Sequence, residues 1–357
     1  MRDTARRAFV VAVVIVGVIA VALALWKLRV VIALLFLAFI IAAAMRPGVD
    51  ALHRHHVPRG AGILLHYLGL AALVGLLLWV AVPRAIDQVQ QALGGSIPTS
   101  KAEVRKRAAH STGIKHVILK ALEDRLDKLP SGSQLVHPAL EATRLSLEIA
   151  VGIFFTLASA AYWIFERDRA VELVASLLPR DRRKVVRDTW RLIDLKLGAY
   201  VRGQAILILV VATVLSISFD AIGLPFWLLV GTFAGVVEII PVIGPLAAGA
   251  LAVGVGLTQS WQTALYAGLI VLTVRMLEDY VVIPRVLGDA VGLSPLLVLL
   301  AVAGAATLFG GFAVLLAIPL MAVVATLVQV ILLDLNPAEE EAPTVLFPAK
   351  DVESTGR

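Results

Sequence analysis

The stretch VVEIIPVIGPLAAG, residues 236–249, decides how the chain folds, because it places an acid and helix-breaking residues inside a long apolar run. The run extends from Leu224 to Leu257 and is nearly continuous. Glu238 lies near its centre, and three residues that disrupt a helix follow it: Pro241, Gly244 and Pro245. Non-helical backbone inside a membrane is tolerated only where it is buried in protein or lines a cavity, so the stretch predicts a functional break.

The composition places the chain among membrane proteins. Of its 357 residues, 59% are hydrophobic and 16% are charged, and the mean hydropathy is +0.90. Soluble domains are usually ~45–50% apolar and ~25% charged. Because the apolar residues also come in long blocks, we expect an all-α, polytopic helical membrane protein with about eight membrane segments.

Cysteine content and charge exclude several other classes. The chain has no cysteine, which removes disulfides, thiol catalysis and cysteine-based metal sites. Its net charge of +6 is typical of Lys and Arg retained in the cytoplasmic loops of a membrane protein, so no nucleic-acid partner is expected. The expected surroundings are the lipid bilayer, and a homo-oligomer is compatible with the sequence.

Five apolar runs in the first two thirds have about the length of a membrane helix, which takes ~20 residues. The first follows MRDTARR and resembles a signal peptide, but its 19 residues exceed the ~7–15 of a signal-peptide core. We therefore predict an uncleaved hairpin, then a loop at 46–59 and three further spans. The runs are Ala8–Trp26, Leu28–Met45, Ala61–Val82 closed by Pro83, Leu145–Phe165 and Gln204 to about Phe219.

Two polar segments, 84–144 and 166–203, separate these runs, and each contains ten Lys and Arg residues. Apolar residues recur at helical spacing in both, which predicts amphipathic helices. In the first segment they are Ile118, Leu122, Leu126 and Leu129. The predicted regions are a three-helix region 1–83, an extracytoplasmic insert 84–144, a fourth span 145–165, a basic cytoplasmic segment 166–203, a C-terminal transport core 204–333 and a disordered acidic tail 334–357.

Lys and Arg in short loops indicate the orientation, because they are enriched on the cytoplasmic side. Arg2, Arg6 and Arg7 predict a cytoplasmic N-terminus. If 224–257 is a hairpin that enters and leaves by one face, Arg285 is cytoplasmic. A second hairpin at 295–333 then makes the C-terminus cytoplasmic as well. If 224–257 crosses once, Arg285 lies outside.

The last third contains two apolar runs that are too long for one ordinary span, 224–257 and 295–333. Gly310-Gly311 interrupts the second run, and Pro319 follows. The segments 223–235 and 292–304 also echo each other, since each has Gly-Leu shortly before a proline and ends in Ala-Gly. Paired, broken segments in corresponding positions point to the binding site of secondary transporters.

Four charged residues lie in apolar segments of the C-terminal third: Glu238 in the run 224–257, and Arg275, Glu278 and Asp279 in the predicted span Gln262–Ile283 that follows it. A charge at the centre of a membrane helix costs ~2.5–3.5 kcal/mol, so such residues face the protein interior and pair. Glu278 and Asp279 follow Arg275 by three and four residues, which places both acids on its helix face. With Glu238, three acids share one base. They form a coupling or binding site, or Glu238 is structural, pairing with Arg275 or capping a helix.

Other chemistry is not expected. His53, His55 and His56 form a cluster that could hold a metal, but no acid or further ligand is nearby, and a basic loop facing headgroups is favoured. The sequence contains no P-loop, no hydrolase elbow and no H-E-x-x-H pattern. We therefore expect no cofactor, no metal and no enzymatic activity.

Four motifs follow one another in the C-terminal third: E-x-x-P-x-x-G-P at 238–245, LEDYVVIPRVLG at 277–288, GLSP at 292–295 and G-G-x(7)-P at 310–319. In this order they resemble the autoinducer-2 exporter family of bacterial membrane transporters. Met45-Arg46-Pro47 and YVRGQ at 200–204 are also similar to the family's layout. One departure is Ser294, where the family pattern would have a histidine.

The resemblance implies an inner-membrane permease for a small molecule or ion. Members are linked to export of the quorum-sensing signal autoinducer-2, and others to sodium(lithium)/proton antiport. We expect Glu238, Glu278 and Arg275 to form the site, with Asp279 as a weaker candidate. The expected helix-break motif comprises Pro241, Gly244, Pro245, Pro284, Arg285, Gly288, Gly310, Gly311 and Pro319. The alternatives are a sodium/proton antiporter, a channel, and a membrane scaffold or assembly factor.

Overall fold

The computed structural model describes residues 2–93, 105–106, 109, 120, 136–240, 243–283 and 294–340. Within these ranges the protein is helical and contains no strand, which confirms the predicted all-α class. The predicted amphipathic stripe of the insert, from Ile118 to Leu129, lies outside the described residues. So does the tail after Glu340.

Three helices form the N-terminal region: α1 (Arg2–Lys27), α2 (Arg29–Arg54) and α3 (Arg59–Leu93). Two prolines that were expected to mark helix ends lie inside helices instead: Pro47 in α2 and Pro83 in α3. The predicted loop at 46–59 is therefore too long. Val49, just beyond Pro47, is fully buried against α3 and α4, so packing compensates for the backbone hydrogen bond that a proline removes.

Two long helices follow, α4 (Val136–Ser176) and α5 (Arg183–Ala221). They contain 41 and 39 residues, about twice the ~20 that cross a bilayer. The predicted spans 145–165 and 204–219 are therefore the inner parts of longer helices. The basic segment 166–203 is divided between the end of α4, a short connection and the first half of α5.

Two short helices occupy the first long apolar run, α6 (Trp227–Val237) and α7 (Ile243–Leu257). They pack on each other, and α6 also packs along α5. With 11 and 15 residues, both are shorter than an ordinary span. α8 (Trp261–Leu277) packs against α7 and continues as a π-helical turn, Glu278–Val282.

A second pair of helices, α9 (Pro295–Phe309) and α10 (Gly311–Leu332), ends the described core. The break lies at Gly310, whose φ of 87° belongs to the left-handed region that favours glycine. The expected break at Pro319 does not occur, because this residue is buried inside a continuous α10. Membrane helices tolerate such prolines where neighbouring helices and local backbone adjustments satisfy the freed groups.

Within the described ranges, six helices are long and apolar enough to cross a membrane: α1 to α5 and α10. Apolar side chains are exposed along much of these helices, as expected of a surface that meets lipid. The core lies where α5 packs against α6, α7 and α8, and a second cluster joins α2, α3 and α4. The chain is therefore a polytopic helical membrane protein.

Candidate transport site

Glu238 lies where the first broken pair turns. α6 ends at Val237, and Glu238 is the residue that follows it. The Ile240 N–H donates a hydrogen bond to the Val237 carbonyl oxygen (2.9 Å), so the backbone turns sharply here. The turn leaves the Glu238 side chain within the packed helices, where the residue is 5% exposed. Irregular backbone and an acid thus occur together inside the protein.

Gly244 and Pro245 allow α7 to return close to α6. A Cβ on Gly244 would collide with the Val237 carbonyl oxygen, so a larger residue does not fit. The Gly244 N–H donates to the Ile240 carbonyl oxygen at 2.8 Å. Pro245 occupies the first turn of α7, where a backbone N–H has no partner within the helix and its loss costs little.

Arg275 joins the break to α8. Its Nη1 lies 3.0 Å from Glu238 Oε1 and 3.2 Å from Glu278 Oε2. Its Nη2 lies 2.8 Å from Asp279 Oδ1. The structure therefore brings together the four charged residues that the sequence singled out, with the helix spacing of three and four producing both pairs on α8.

The four charges differ in burial and do not balance. Glu238 and Glu278 are 5% and 3% exposed, whereas the side chains of Arg275 and Asp279 are 31% and 45% exposed. Three carboxylates share one guanidinium, so negative charge is in excess when all are ionised. Burying an incompletely neutralised carboxylate is costly, which makes a proton, a small cation or a polar solute a suitable additional partner.

The π-helical turn begins at Glu278, within this charged cluster. Such wide turns are rare and frequently occur at functional sites. Nothing in the local sequence predicted it. The helix continues as far as Ile283 in the described residues.

Gln204 is a polar contact of the cluster that sequence reasoning did not assign. Its Nε2 donates to the Glu238 backbone carbonyl oxygen at 3.1 Å, and the residue is buried. The bond ties the middle of α5 to the break. A single amide at the start of a predicted apolar span was the available signal, but it does not reveal the partner.

A second charged cluster joins α2, α4 and α5, and sequence reasoning did not predict it. Asp194 Oδ2 lies 2.8 Å from Arg167 Nη2 and 3.3 Å from Arg46 Nη1. Asp168 Oδ1 also contacts both arginines, at 2.9 and 3.2 Å. Because Arg46 lies 148 residues before Asp194 in the sequence, its pairs hold the N-terminal region against α4 and α5.

The remaining motif residues lie apart from the cluster or outside the description. Gly310 and Gly311 separate α9 from α10, and Pro319 lies within α10. Ser294 is the N-cap of α9 and accepts a hydrogen bond from the Leu297 N–H at 3.4 Å, a role that suits serine before a helix. Four residues of the expected motif lie outside the described residues: Pro241, Pro284, Arg285 and Gly288.

No metal centre is found in the part of the chain that the structure describes, since no three His, Cys, Asp or Glu side chains are grouped to hold an ion. His53 Nδ1 instead lies 3.1 Å from the Val57 carbonyl oxygen. A cavity of about 610 Å³ lies between α2, α4, α5 and α10. Its lining is almost entirely apolar and includes none of the four clustered charges.

In membrane proteins, ionisable residues buried beside broken helices mark the pathways of substrates and ions. Residues 10–333 match the family described as AI-2E family transporter. Because this match covers most of the chain, the protein belongs to the AI-2E transporter family, which confirms the resemblance drawn from the motifs. It is a membrane transporter.

Several bacterial proteins are similar over most of their length. "Putative transport protein MT0215" of Mycobacterium tuberculosis (strain CDC 1551 / Oshkosh) is 28% identical over 345 residues, covering 93% of this chain and 91% of the relative. "Putative transport protein YrrI" of Bacillus subtilis (strain 168) is 25% identical, covering 81% of this chain and 83% of the relative. "Putative transport protein YueF" of the same strain is 28% identical, and 75% of each chain is covered.

Proposed function

We propose that the protein is a secondary transporter of the bacterial inner membrane that moves a small solute without ATP. Glu238 and Glu278 are its coupling or binding carboxylates, and Arg275 positions them. The observation that carries this proposal is the shared guanidinium: Arg275 Nη1 contacts Glu238 at the break of α6–α7 and Glu278 at the end of α8.

The shared guanidinium gives a route from ion binding to movement. A proton or small cation that binds Glu238 weakens its attraction to Arg275, while the pair with Glu278 persists within one helix. The contact between α8 and the break then loosens. An ion or solute with different affinities for the paired and separated states shifts the population between them, which is the requirement for coupled transport.

The proposed substrate is a small polar signal such as autoinducer-2, which the protein exports. The cluster supports it because carboxylates accept hydrogen bonds from a hydroxylated solute while a guanidinium donates them. Sodium/proton antiport is the second candidate, and the excess of carboxylates over bases favours it, since these groups can bind a cation or a proton in turn.

The proposal includes an arrangement in the membrane. α6 and α7 enter and leave by one face as a re-entrant hairpin, which their lengths of 11 and 15 residues support. Both termini are cytoplasmic, as the positive-inside rule predicts from Arg2, Arg6 and Arg7.

Flux across the membrane of proteoliposomes tests the proposal. Purified wild type, Glu278→Gln and Glu148→Gln are compared under an imposed sodium gradient, then a pH gradient, then with autoinducer-2 supplied inside. Glu148 is the matched control, because it is an exposed acid on α4 that pairs with Arg144 at 2.8 Å. We expect E278Q to reduce flux at least about tenfold, since a charge-assisted contact contributes ~1.5–3 kcal/mol, and E148Q to match the wild type.

The pattern of flux distinguishes the candidates. Proton movement driven by sodium and lost in E278Q identifies an antiporter, and solute flux lost in E278Q identifies an exporter. Equal flux in wild type and E278Q contradicts the assigned site. The scaffold alternative is favoured if no flux is measured under any of the three conditions and if deletion of the insert 84–144 affects a partner protein.

A further inference from the structure

The cavity between α2, α4, α5 and α10 is distinct from the charged cluster and has the size of a ligand site. Its volume of about 610 Å³ falls within the ~300–1,000 Å³ typical of ligand pockets. Val174 and Leu178 line it from the end of α4 and the connection that follows, and Val323 and Leu327 line it from α10. Such a lining suits an acyl chain and does not suit an ion or a polar solute.

Arg182 gives this apolar cavity a cationic edge. It lines the cavity, its side chain is exposed, and its guanidinium has no hydrogen bond or ion pair within the described part of the chain. Arg180 and Lys184 are exposed beside it. The segment 180–187 contains five Lys and Arg residues and one acid, Asp181.

The start of α5 provides further donors at the same place. Arg182 is the N-cap residue of this 39-residue helix. No side chain accepts a hydrogen bond from the N–H groups at the helix start, and the first turn contains no acid. The first N–H groups of a helix and its dipole favour an anion, above all a phosphate. Trp190 also lines the cavity, and its Nε1–H is buried without an acceptor among the described residues.

We propose that this cavity binds one acidic phospholipid of the bilayer, with an acyl chain between α5 and α10 and the phosphate at Arg182 and the first turn of α5. The apolar cavity and the basic start of α5 together determine the class of ligand. An apolar cavity alone would accept any lipid, and a basic helix start alone would accept any anion. Basic pockets between membrane helices are a known binding environment for anionic headgroups.

Native mass spectrometry of the purified full chain in detergent tests the proposal. Dioleoyl phosphatidylglycerol is titrated against dioleoyl phosphatidylcholine, which has the same chains without net charge. We expect a first phosphatidylglycerol to bind at least about fivefold more tightly than phosphatidylcholine, the effect of one cation near an anionic headgroup. Arg182→Ala should remove this preference.

Two further variants make the test specific. Arg191→Ala is the matched control, because Arg191 is an exposed cation on the same helix that does not line the cavity, and we expect it to bind both lipids like the wild type. Leu327→Trp should fill the cavity and weaken the binding of the first molecule of either lipid. Gel filtration establishes that each variant remains folded.

Any of three results would overturn the proposal. R182A and R191A could show the same preference for phosphatidylglycerol over phosphatidylcholine, or L327W could bind lipid as the wild type does. The wild type could also show no preference between the two lipids. The chain has no cysteine, so Leu327→Cys gives a single thiol. Disulfide-linked dimers of L327C in membranes, together with absent lipid binding, would show that a second copy covers the cavity instead. This binding assay is independent of transport, so its failure leaves the proposed function untouched.

Discussion

The two broken helix pairs share a plan and differ in what lies at the break. α6–α7 and α9–α10 each join a short helix to another helix through an interruption. At the first break, Glu238 is buried and paired with Arg275. At the second, Gly310 turns the chain, and the segment 295–333 contains no Asp, Glu, Lys, Arg or His. The chain thus interrupts a helix twice, with charged residues at the break of α6–α7 and without them at the break of α9–α10.

The pairs also differ in how closely they pack. A Cβ on Gly231 or Gly235 would clash with the α5 backbone, so α6 lies directly against α5. Gly304, the counterpart of Gly235 in the sequence echo, has open space around it. Ile240, in the first turn, packs against Val302 and neighbouring apolar residues of the second pair. The charged break is thus rigidly supported, and the uncharged pair provides an apolar neighbour.

Replacing Arg275 should produce the largest change, because it removes the base that pairs with the buried acid at the first break. Arg275→Ala leaves two buried carboxylates without their base, and losing one partner of a buried ion pair costs ~3–5 kcal/mol. Since Arg275 is partly exposed, we expect about 3 kcal/mol, measured as the free energy of unfolding in mixed micelles. Arg144→Ala, which breaks an exposed pair, should cost less than about 1 kcal/mol. Similar losses in the two variants would refute the buried cluster.

A methyl group at Gly244 should have a smaller effect on stability but a large one on transport. Gly244→Ala forces the start of α7 away from Val237, and overpacking of this kind costs ~1–3 kcal/mol. We expect flux to fall several-fold because Glu238 shifts relative to Arg275. Gly249→Ala on the same helix meets Val271 Cγ1 at an ordinary 3.6 Å and is the control. If both variants transport like the wild type, the close return of α7 is not required.

Gly310→Ala should have the smallest effect, because the second break depends on backbone conformation alone. Alanine at φ 87° and ψ 176°, a combination that essentially only glycine adopts, costs about 1–3 kcal/mol, and the cluster at Glu238 is untouched. We therefore expect a modest loss of stability with flux within about twofold of the wild type. Gly304→Ala, in a regular helix with open space, should be neutral or stabilising by up to ~1 kcal/mol. Loss of flux in G310A would make the two breaks functionally equivalent.

The sequence was sufficient where local spacing determines geometry. Arg275, Glu278 and Asp279 lie on one helix, so their separations of three and four residues predict their ion pairs. Gly310 marks a break because few other residues adopt its backbone conformation. The all-helical class followed from composition and long apolar runs.

Features that depend on distant contacts could not be predicted. Pro47, Pro83 and Pro319 lie inside helices, because packing and the membrane environment outweigh the local preference to stop. The pairs of Arg46 and Arg167 with Asp194 bring together three helices, and no spacing rule applies to them. The bond from Gln204 to Glu238 likewise connects residues 34 apart in sequence.

Flux through Glu238→Gln beside Asp279→Asn tests the central claim most directly. Both substitutions remove one negative charge from a partner of Arg275, but Glu238 is buried at the break and Asp279 is 45% exposed. Proteoliposomes with equal amounts of folded protein should show transport abolished in E238Q and largely retained in D279N. Normal transport in E238Q, or equal loss in both variants, would contradict the account of the first break as the transport site.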